Sequence, residues 1–331
     1  MMSDPRLLVV LLNYRTPQMT LRAAQAALAD MPEGAELVLV DNASDDGSVG
    51  IFGQALDKWD LGPRVRLIVS DRNGGFGAGC NIGLAAMMSD GAAPDFFYLL
   101  NSDAFPDPGC IGTLLDHMAT HPRAGFAASH VRGEDGAPHT TAFRFPSIAG
   151  EFEGAVRFGP VSRLLRHAVV APALPDKSAQ LDWAAGASVM IRADTLRDIG
   201  LFDETFFLYF EETDLMQRGA RAGWTCWYVP SAKVVHIGSV STGMKEWQRM
   251  PAYWFASRRH YFIKNHGRAY AAAAWAARLT GAALHALRCR LTGRKPQDPA
   301  HFTRDLARFG LGLSPRAHTP PPRRTATEDT L

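Results

Sequence analysis

Cysteine is scarce: four residues in 331 (Cys80, Cys110, Cys226 and Cys289), with no C-x-x-C spacing. That excludes a disulfide framework or a zinc-ribbon scaffold and reads as free thiols in a reducing, cytoplasmic setting. The opening MMSDPRLLVV lacks the basic and long apolar regions of a secretory signal. No charge-free apolar run reaches the roughly 20 residues that span a bilayer. There is no internal repeat, and nucleic acid is not an expected partner. The net charge is only +2, but it is unevenly spread. Residues 256–331 hold 14 Lys and Arg against 4 Asp and Glu, whereas residues 1–255 hold 21 against 29. An acidic body with a basic C-terminal portion suggests that this portion meets something anionic.

The body alternates short apolar strands with helices. RLLVVLLN (6–13) reads as a strand and TPQMTLRAAQAALADM (16–31) as a helix, with Thr16 at the N-cap and Pro17 at its first position. AELVLVDNASDDGS (35–48) is a second strand ending in polar residues, and VRLIVSDRNGGFGAGCNIGLAAMM (65–88) is strand, glycine loop and helix. DFFYLLNSD (95–103) is a further strand, which delivers Asp103 at its C-terminal end. This pattern predicts an α/β fold with a mostly parallel, Rossmann-like central sheet and helices on both faces. Ligands in such sheets bind beyond the carboxyl ends of the strands, so Asn13, Asp41-Asn42, Asp71-Arg72-Asn73 and Asn101-Ser102-Asp103 are expected to line one crevice.

GGFGAG (74–79) does not complete a dinucleotide fingerprint, because the third glycine of the spacing falls on Cys80. The loop still offers close backbone approach and a helix N-terminus beside a diphosphate. Downstream, a strand is expected at 187–192, a helix at 193–199, a helix at 213–222 and a strand reaching His236. Glu211, Glu212 and Asp214 crowd a helix start. Asp214 has a ready partner in Arg218 one turn on. Two adjacent glutamates at a buried edge raise one another's pKa, which suits a general base.

Placed in order, these motifs resemble the inverting, GT-A-fold glycosyltransferases of family 2, and within them the bacterial rhamnosyltransferase-like branch. The resemblance covers about residues 6–267 and rests on VVLLNY, VDNASDDGS, RNGGFGAGCNIG, LLNSDA, DWAAGASVMIR, GLFDETFFLYFEETDL and VVHIGSVST. It departs from the family pattern twice: Asn101 stands for the first Asp of D-x-D, and Glu212 for the second residue of a Glu-Asp pair.

The resemblance implies a nucleotide-diphosphate sugar donor, dTDP-L-rhamnose or a UDP-sugar, and a glycan or lipid-linked acceptor in cell-surface polysaccharide synthesis. It implies donor contacts from Asn13, Asp41, Asn42, Ser44, Asn73, Gly75, Phe76, Asn81, Ser102 and Asp103. It also implies Mg²⁺ or Mn²⁺ held by Asp103 and His236, acceptor contacts at Trp183 and Gly186, and Glu212 as the base with Glu211 and Asp214 beside it. Two other classes stay open. A sugar nucleotidyltransferase should show a basic glycine-rich loop after its first strand, where NYRTPQ has no glycine. A non-catalytic nucleotide-sugar binder is motivated by the two departures and is tested by donor hydrolysis.

The C-terminal portion is expected to form a basic helical extension (256–313) followed by a disordered tail (314–331), beyond a transferase domain of residues 1–255 whose donor half ends near 110. In the extension Arg258, Arg259, Lys264 and Arg268 interleave with Tyr261, Phe262 and Tyr270, ahead of an Ala-rich helix. This predicts a segment packed on the body or lying peripherally on the inner face of the cytoplasmic membrane.

Overall fold

The computed structural model describes residues 5–238, 248–294 and 298–313. The elements up to the fourth strand are β1 (Leu7–Asn13), α1 (Pro17–Asp30), β2 (Glu36–Asp41), α2 (Ser48–Trp59), β3 (Val65–Val69), α3 (Phe76–Leu84) and β4 (Phe96–Asn101). β1 is buried on both faces, as its unbroken apolar run requires. Leu7, Val9 and Leu11 pack with Ala23, Ala24 and Ala27 of α1, while Leu8 and Val10 pack with Cys80 and Leu84 of α3.

Beyond β4 come β5 (Ala104–Pro106), α4 (Cys110–Thr120), β6 (Ala124–Arg132), β7 (Ala142–Phe143), α5 (Ile148–Val156), α6 (Gly159–Leu164), β8 (Ala179–Leu181) and β9 (Trp183–Ala184). Then follow β10 (Ser188–Arg192), α7 (Ala193–Ile199), α8 (Glu211–Arg221), β11 (Thr225–His236), α9 (Ala252–His266), α10 (Arg268–Thr292) and α11 (Phe302–Gly310).

The main sheet runs β3-β2-β1-β4-β10-β6-β11-β5, with β8 also paired to β11. The α/β architecture is as expected. Pairing is parallel across the donor half, β3-β2-β1-β4, and again between β6 and β11. β10 runs antiparallel between β4 and β6, and β11 runs antiparallel to β5 and β8. Pro17 does open α1, but the Thr16 hydroxyl does not cap it; it donates to Asn13 Oδ1 (3.3 Å) and Ser102 Oγ (3.2 Å). α8 starts at Glu211, two residues before the predicted position.

The C-terminal helices are anchored to the body. α9 spans residue 255, and α10 packs lengthwise on α5. The basic–aromatic cluster packs on the body, one of its two expected placements, with Arg258, Tyr261 and Phe262 turned inward. Tyr261 and Phe262 are buried with Phe206 and Ala274. Arg258 is buried against Glu151 at 2.7 Å, and Arg278 reaches the same carboxylate oxygen at 3.1 Å. Arg259, Lys264 and Arg268 are exposed, and Lys264 Nζ pairs with Asp203 (2.8 Å) and Asp214 (2.7 Å). The expected disordered tail lies outside the described residues.

Glu151 therefore joins three helices, α5, α9 and α10. Burial alone would raise its pKa, but the two guanidinium charges outweigh burial and hold it below the usual carboxylate range. A carboxylate depressed in this way stabilises the fold above its unfolded-state pKa, and the contribution is lost as pH falls through the folded value. Glu151→Gln leaves the Arg258 charge buried without its counter-ion, which costs about 3–5 kcal/mol. Urea unfolding at neutral pH is expected to show that loss, and the difference from wild type is expected to shrink on acidification. A variant as stable as wild type at neutral pH would mean the triad carries no such weight.

Candidate active site

The site is assembled where β1, β2 and β4 end. Asn13, Asp41 and Ser44 form a buried polar knot. Asp41 Oδ1 accepts from Asn13 Nδ2 (2.7 Å) and Ser44 Oγ (2.6 Å), and Oδ2 accepts from Ser44 N–H (3.0 Å). All three residues are at most 1% exposed, so they shape the turn after β2 and have little surface left for a ligand. Asn42 differs. Its Nδ2 donates to Asn73 Oδ1 (3.0 Å) and Gly75 O (3.0 Å). Its buried Oδ1 has no hydrogen-bond partner among the described residues. An orphaned buried acceptor costs about 1–3 kcal/mol unless something donates to it.

The glycine loop is fixed to the opposite wall. Phe76 N–H donates to Phe207 O at 3.0 Å. Gly75 has φ +93°, and a Cβ there would lie 1.9 Å from Phe207 O. No other residue type fits either condition. Asn81 is spent on the same joint: its amide exchanges bonds with the Phe202 backbone (3.0 Å each way) and donates to Glu204 (3.1 Å). Among the predicted donor residues, Asn81 thus ties α3 to the 202–204 turn.

The turn before α8 is strained. Tyr209 and Phe210 both have φ +70°, a conformation that costs an L-residue about 1–2 kcal/mol. α9 holds it in place. Ser257 Oγ donates to Leu208 O (3.0 Å), and the Phe210 ring lies against Tyr261 (5.5 Å) and Trp254 (6.1 Å). The strain sets Glu211 and Glu212 at the first positions of α8. Glu211 is 1% exposed and its Oε2 has no hydrogen-bond partner among the described residues. Glu212 is half-buried, and its Oε1 accepts from Gly186 N–H at 3.1 Å. Gly186 must lack a side chain, because a Cβ would sit 2.8 Å from Glu212 Oε1 and 3.2 Å from the Phe76 ring.

Burial raises the pKa of both glutamates, and for Glu211 the Glu212 charge adds to it. A pair this close shares its charge unequally, and the more exposed member carries it. That member is Glu212. Asp214 is fully buried and held by Arg218 (3.0 Å), Lys264 (2.7 Å) and Asn265 (2.9 Å). It ties α8 to α9, with both carboxylate oxygens engaged.

Asp103 and His236 meet because β5 pairs with β11 in a register that sets His236 against Ala104. His236 Nε2 lies 3.0 Å from Asp103 Oδ1 and 3.5 Å from Asn101 Nδ2, and the His139 ring centroid is 6.0 Å from that of His236. Adjacent ligands of an octahedral ion with metal–ligand distances of about 2.1 Å stand about 3 Å apart. The oxygen–nitrogen pair therefore fits two neighbouring positions of a small divalent cation. No cluster of three or more His, Cys, Asp or Glu that could hold a metal occurs among the described residues, so an ion held by this pair would need its remaining ligands from outside the protein.

Trp183 already has one face stacked on Phe143 (4.3 Å, 19°), and its Nε1 donates to Arg144 O (3.0 Å). Only its other face is left for a sugar. Sequence reasoning missed Glu204, Phe207, Tyr209 and Tyr253. The Tyr253 ring lies 5.4 Å from Phe207 and 6.3 Å from Tyr209, extending an aromatic wall beside the glutamates. The run FFLYF was the one available signal. The motif VVHIGSVST runs past residue 238, and its last four residues lie outside those described.

The family model of glycosyl transferase family 2 matches residues 8–164, and that of glycosyl transferase family group 2 matches residues 96–293. The chain is 30% identical over 249 residues to N-acetylglucosaminyl-diphospho-decaprenol L-rhamnosyltransferase of Mycobacterium tuberculosis, covering 68% of this chain and 75% of that protein. Two solved structures share the fold. A mannosyltransferase of Pyrobaculum calidifontis, PcManGT, in complex with GDP-Man and Mn²⁺, gives a TM-score of 0.58 at 15% identity over 94% of this chain and 81% of that one. GalNAc-T7 with UDP, GalNAc and Mn²⁺ gives 0.59 at 13% identity over 94% of this chain, which spans only 55% of GalNAc-T7. Donor-side strand ends, a glycine loop bolted to a glutamate-bearing helix and these matches converge: the chain belongs to glycosyl transferase family 2, on a GT-A fold and with rhamnosyltransferase-like sequence.

Proposed function

We propose that the chain transfers a sugar, with inversion, from a pyrimidine nucleoside-diphosphate donor to a hydroxyl of a lipid-linked glycan acceptor. dTDP-L-rhamnose is the favoured donor and a UDP-sugar the second choice. The setting is cell-surface polysaccharide synthesis at the cytoplasmic face of the membrane. The observation that carries this reading is the Gly186-Ala187 bend. Gly186 N–H holds Glu212, and Ala187 O accepts from Asn101 N–H at 3.0 Å. One dipeptide therefore touches the glutamate on one side and the strand end that precedes Asp103 on the other. The relative's printed activity, on a diphospho-decaprenol sugar, supports the acceptor class and the rhamnosyl donor.

On this reading Asn42 Oδ1 accepts from the base N3–H that uracil and thymine share and cytosine lacks. Gly75 and Phe76 bring backbone to the diphosphate at the start of α3. Asp103 and His236 would hold Mg²⁺ or Mn²⁺, the nitrogen ligand inclining the pair towards Mn²⁺, and an ion there would supply positive charge for the departing diphosphate. Glu212, ionised and steadied by Gly186 N–H, takes the proton from the acceptor hydroxyl as its oxygen attacks the anomeric carbon from the face opposite the diphosphate. The new glycosidic bond forms as the bond to diphosphate oxygen breaks. Glu211, neutral behind it, keeps a second negative charge out of the site. Tyr209, Phe207 and Tyr253 give sugar rings an apolar wall.

Asp103→Ala is expected to abolish Mn²⁺-dependent binding of UDP and dTDP in calorimetry and to remove turnover. Full activity of that variant in EDTA would end the metal assignment.

Glu212→Gln keeps shape but accepts no proton. Turnover is expected to fall about 10²-fold or more with donor affinity unchanged. Glu211→Gln replaces a largely neutral acid by a neutral isostere and is expected to stay within a few-fold of wild type. Initial rates and donor calorimetry on both variants decide this, and the reverse ranking would move the base to Glu211.

The acidic limb of kcat/KM in wild type is expected above the ordinary glutamate pKa of about 4.3, because burial raises Glu212. A limb at or below that value would show that a different group is titrating.

A further inference from the structure

The outward face of α10 carries a row of leucines left exposed among the described residues. Leu284, Leu287 and Leu291 are 46%, 54% and 79% exposed. Residues on a helix advance about 100° each, so these three share one stripe. The face packed on the body runs through Ala274, Gly281, Ala282, His285 and Cys289, on the far side of the same helix. Next to this half of α10 stands α6. Arg288 lies over the Phe158 ring (5.0 Å) and donates to Arg157 O (2.6 Å). Phe158 is 43% and Leu164 78% exposed. Scattered single leucines on a surface need no account, but a contiguous row does.

The charge around the row is mostly positive. No Asp or Glu occurs from residue 247 to residue 297, and Asp298, which follows, is paired with Arg157 (2.6 Å). Arg290 on α10, Arg294 just after it, and Arg163 and Arg166 on and just after α6, are exposed. By the same periodicity Arg288 and Arg290 fall on opposite flanks of the leucine row. A helix with an apolar outer stripe edged by arginines matches a lipid–water interface, where leucine enters the acyl boundary and arginine stays at the headgroups. Two copies of this chain meeting face to face about a two-fold axis would bring like-charged arginines together, so charge argues against self-association here.

We infer that the second half of α10, with Phe158 and Leu164 beside it, is the surface on which this protein rests on an anionic lipid bilayer. This deepens the reading of a lipid-linked acceptor, rests on it, and places the contact on the leucine row rather than on the Arg258–Tyr270 cluster, whose Arg258, Tyr261 and Phe262 are buried.

The test is sedimentation of the full chain with vesicles of phosphatidylcholine alone or mixed with phosphatidylglycerol. Wild type is expected to bind the anionic vesicles and to be released by salt. The triple variant L284S/L287S/L291S is expected to lose at least tenfold in partitioning. Arg290→Gln and Arg294→Gln are each expected to lose about fivefold on anionic vesicles only. Leu287→Trp is a milder probe should the triple variant misfold, and its fluorescence is expected to shift blue on adding anionic vesicles. Wild-type sedimentation by a folded triple variant, or no fluorescence shift, would overturn the inference. So would a wild-type dimer in light scattering that the triple variant converts to monomer without any vesicle binding by wild type. Calorimetry with UDP and dTDP separates the two readings. A chain that binds vesicles but neither nucleotide keeps the docking face and loses the donor assignment.

Discussion

Gly75 has no side chain, and the carbonyl of Phe207 occupies the volume one would need. Much of the site's geometry hangs on that contact. Through it the glycine loop is locked to the turn that launches α8, and the Phe76 N–H bond to the same carbonyl closes the joint. The turn is itself held out of its relaxed conformation at Tyr209 and Phe210. α9 secures it from behind, and Asp214 secures α8 to α9. The position of one glutamate is thus fixed by elements drawn from residues 75 to 265, which is why the chain needs its C-terminal helices as well as its sheet.

Electrostatics then divides labour between neighbours of the same type. Glu211 and Glu212 differ in burial and in one hydrogen bond; burial raises the pKa of both, and the Glu212 charge raises Glu211 further. Asp214, three residues beyond Glu211, is bound by Arg218, Lys264 and Asn265. Three acids that look equivalent in the run EETD have three different surroundings.

Sequence reasoning went furthest where the signal is local. β1, β2, β3 and β4 were legible from apolar runs ending in polar residues, α7 was placed to the residue, and Asp214's partner Arg218 was read from i, i+4 spacing. It failed where the partner is remote. Nothing in EFEGAV announces that Glu151 will meet Arg258, 107 residues on. β6, AGFAASHVR, is a central strand rich in alanine, and lacks the β-branched pattern that identifies strands. Asp41 and Asn81 carry the residue types of a ligand site, yet their bonding partners lie within the protein. The basic–aromatic stretch of α9 left two placements open, on the body or on a membrane, because interleaving alone does not reveal which face packs inward.

The pairing of β5 with β11 has a consequence for the order of assembly. Asp103 and His236 are 133 residues apart in the chain, and their approach depends on a strand pair that closes late. During synthesis the segments that end in Asn13, Asp41 and Asp103 emerge from the ribosome well before His236 does. A growing chain can lay down the parallel half of the sheet, but it has only one of the two side chains of this pair. The contact therefore arrives with the last strand of the sheet, and an incomplete chain presents Asp103 without His236 beside it.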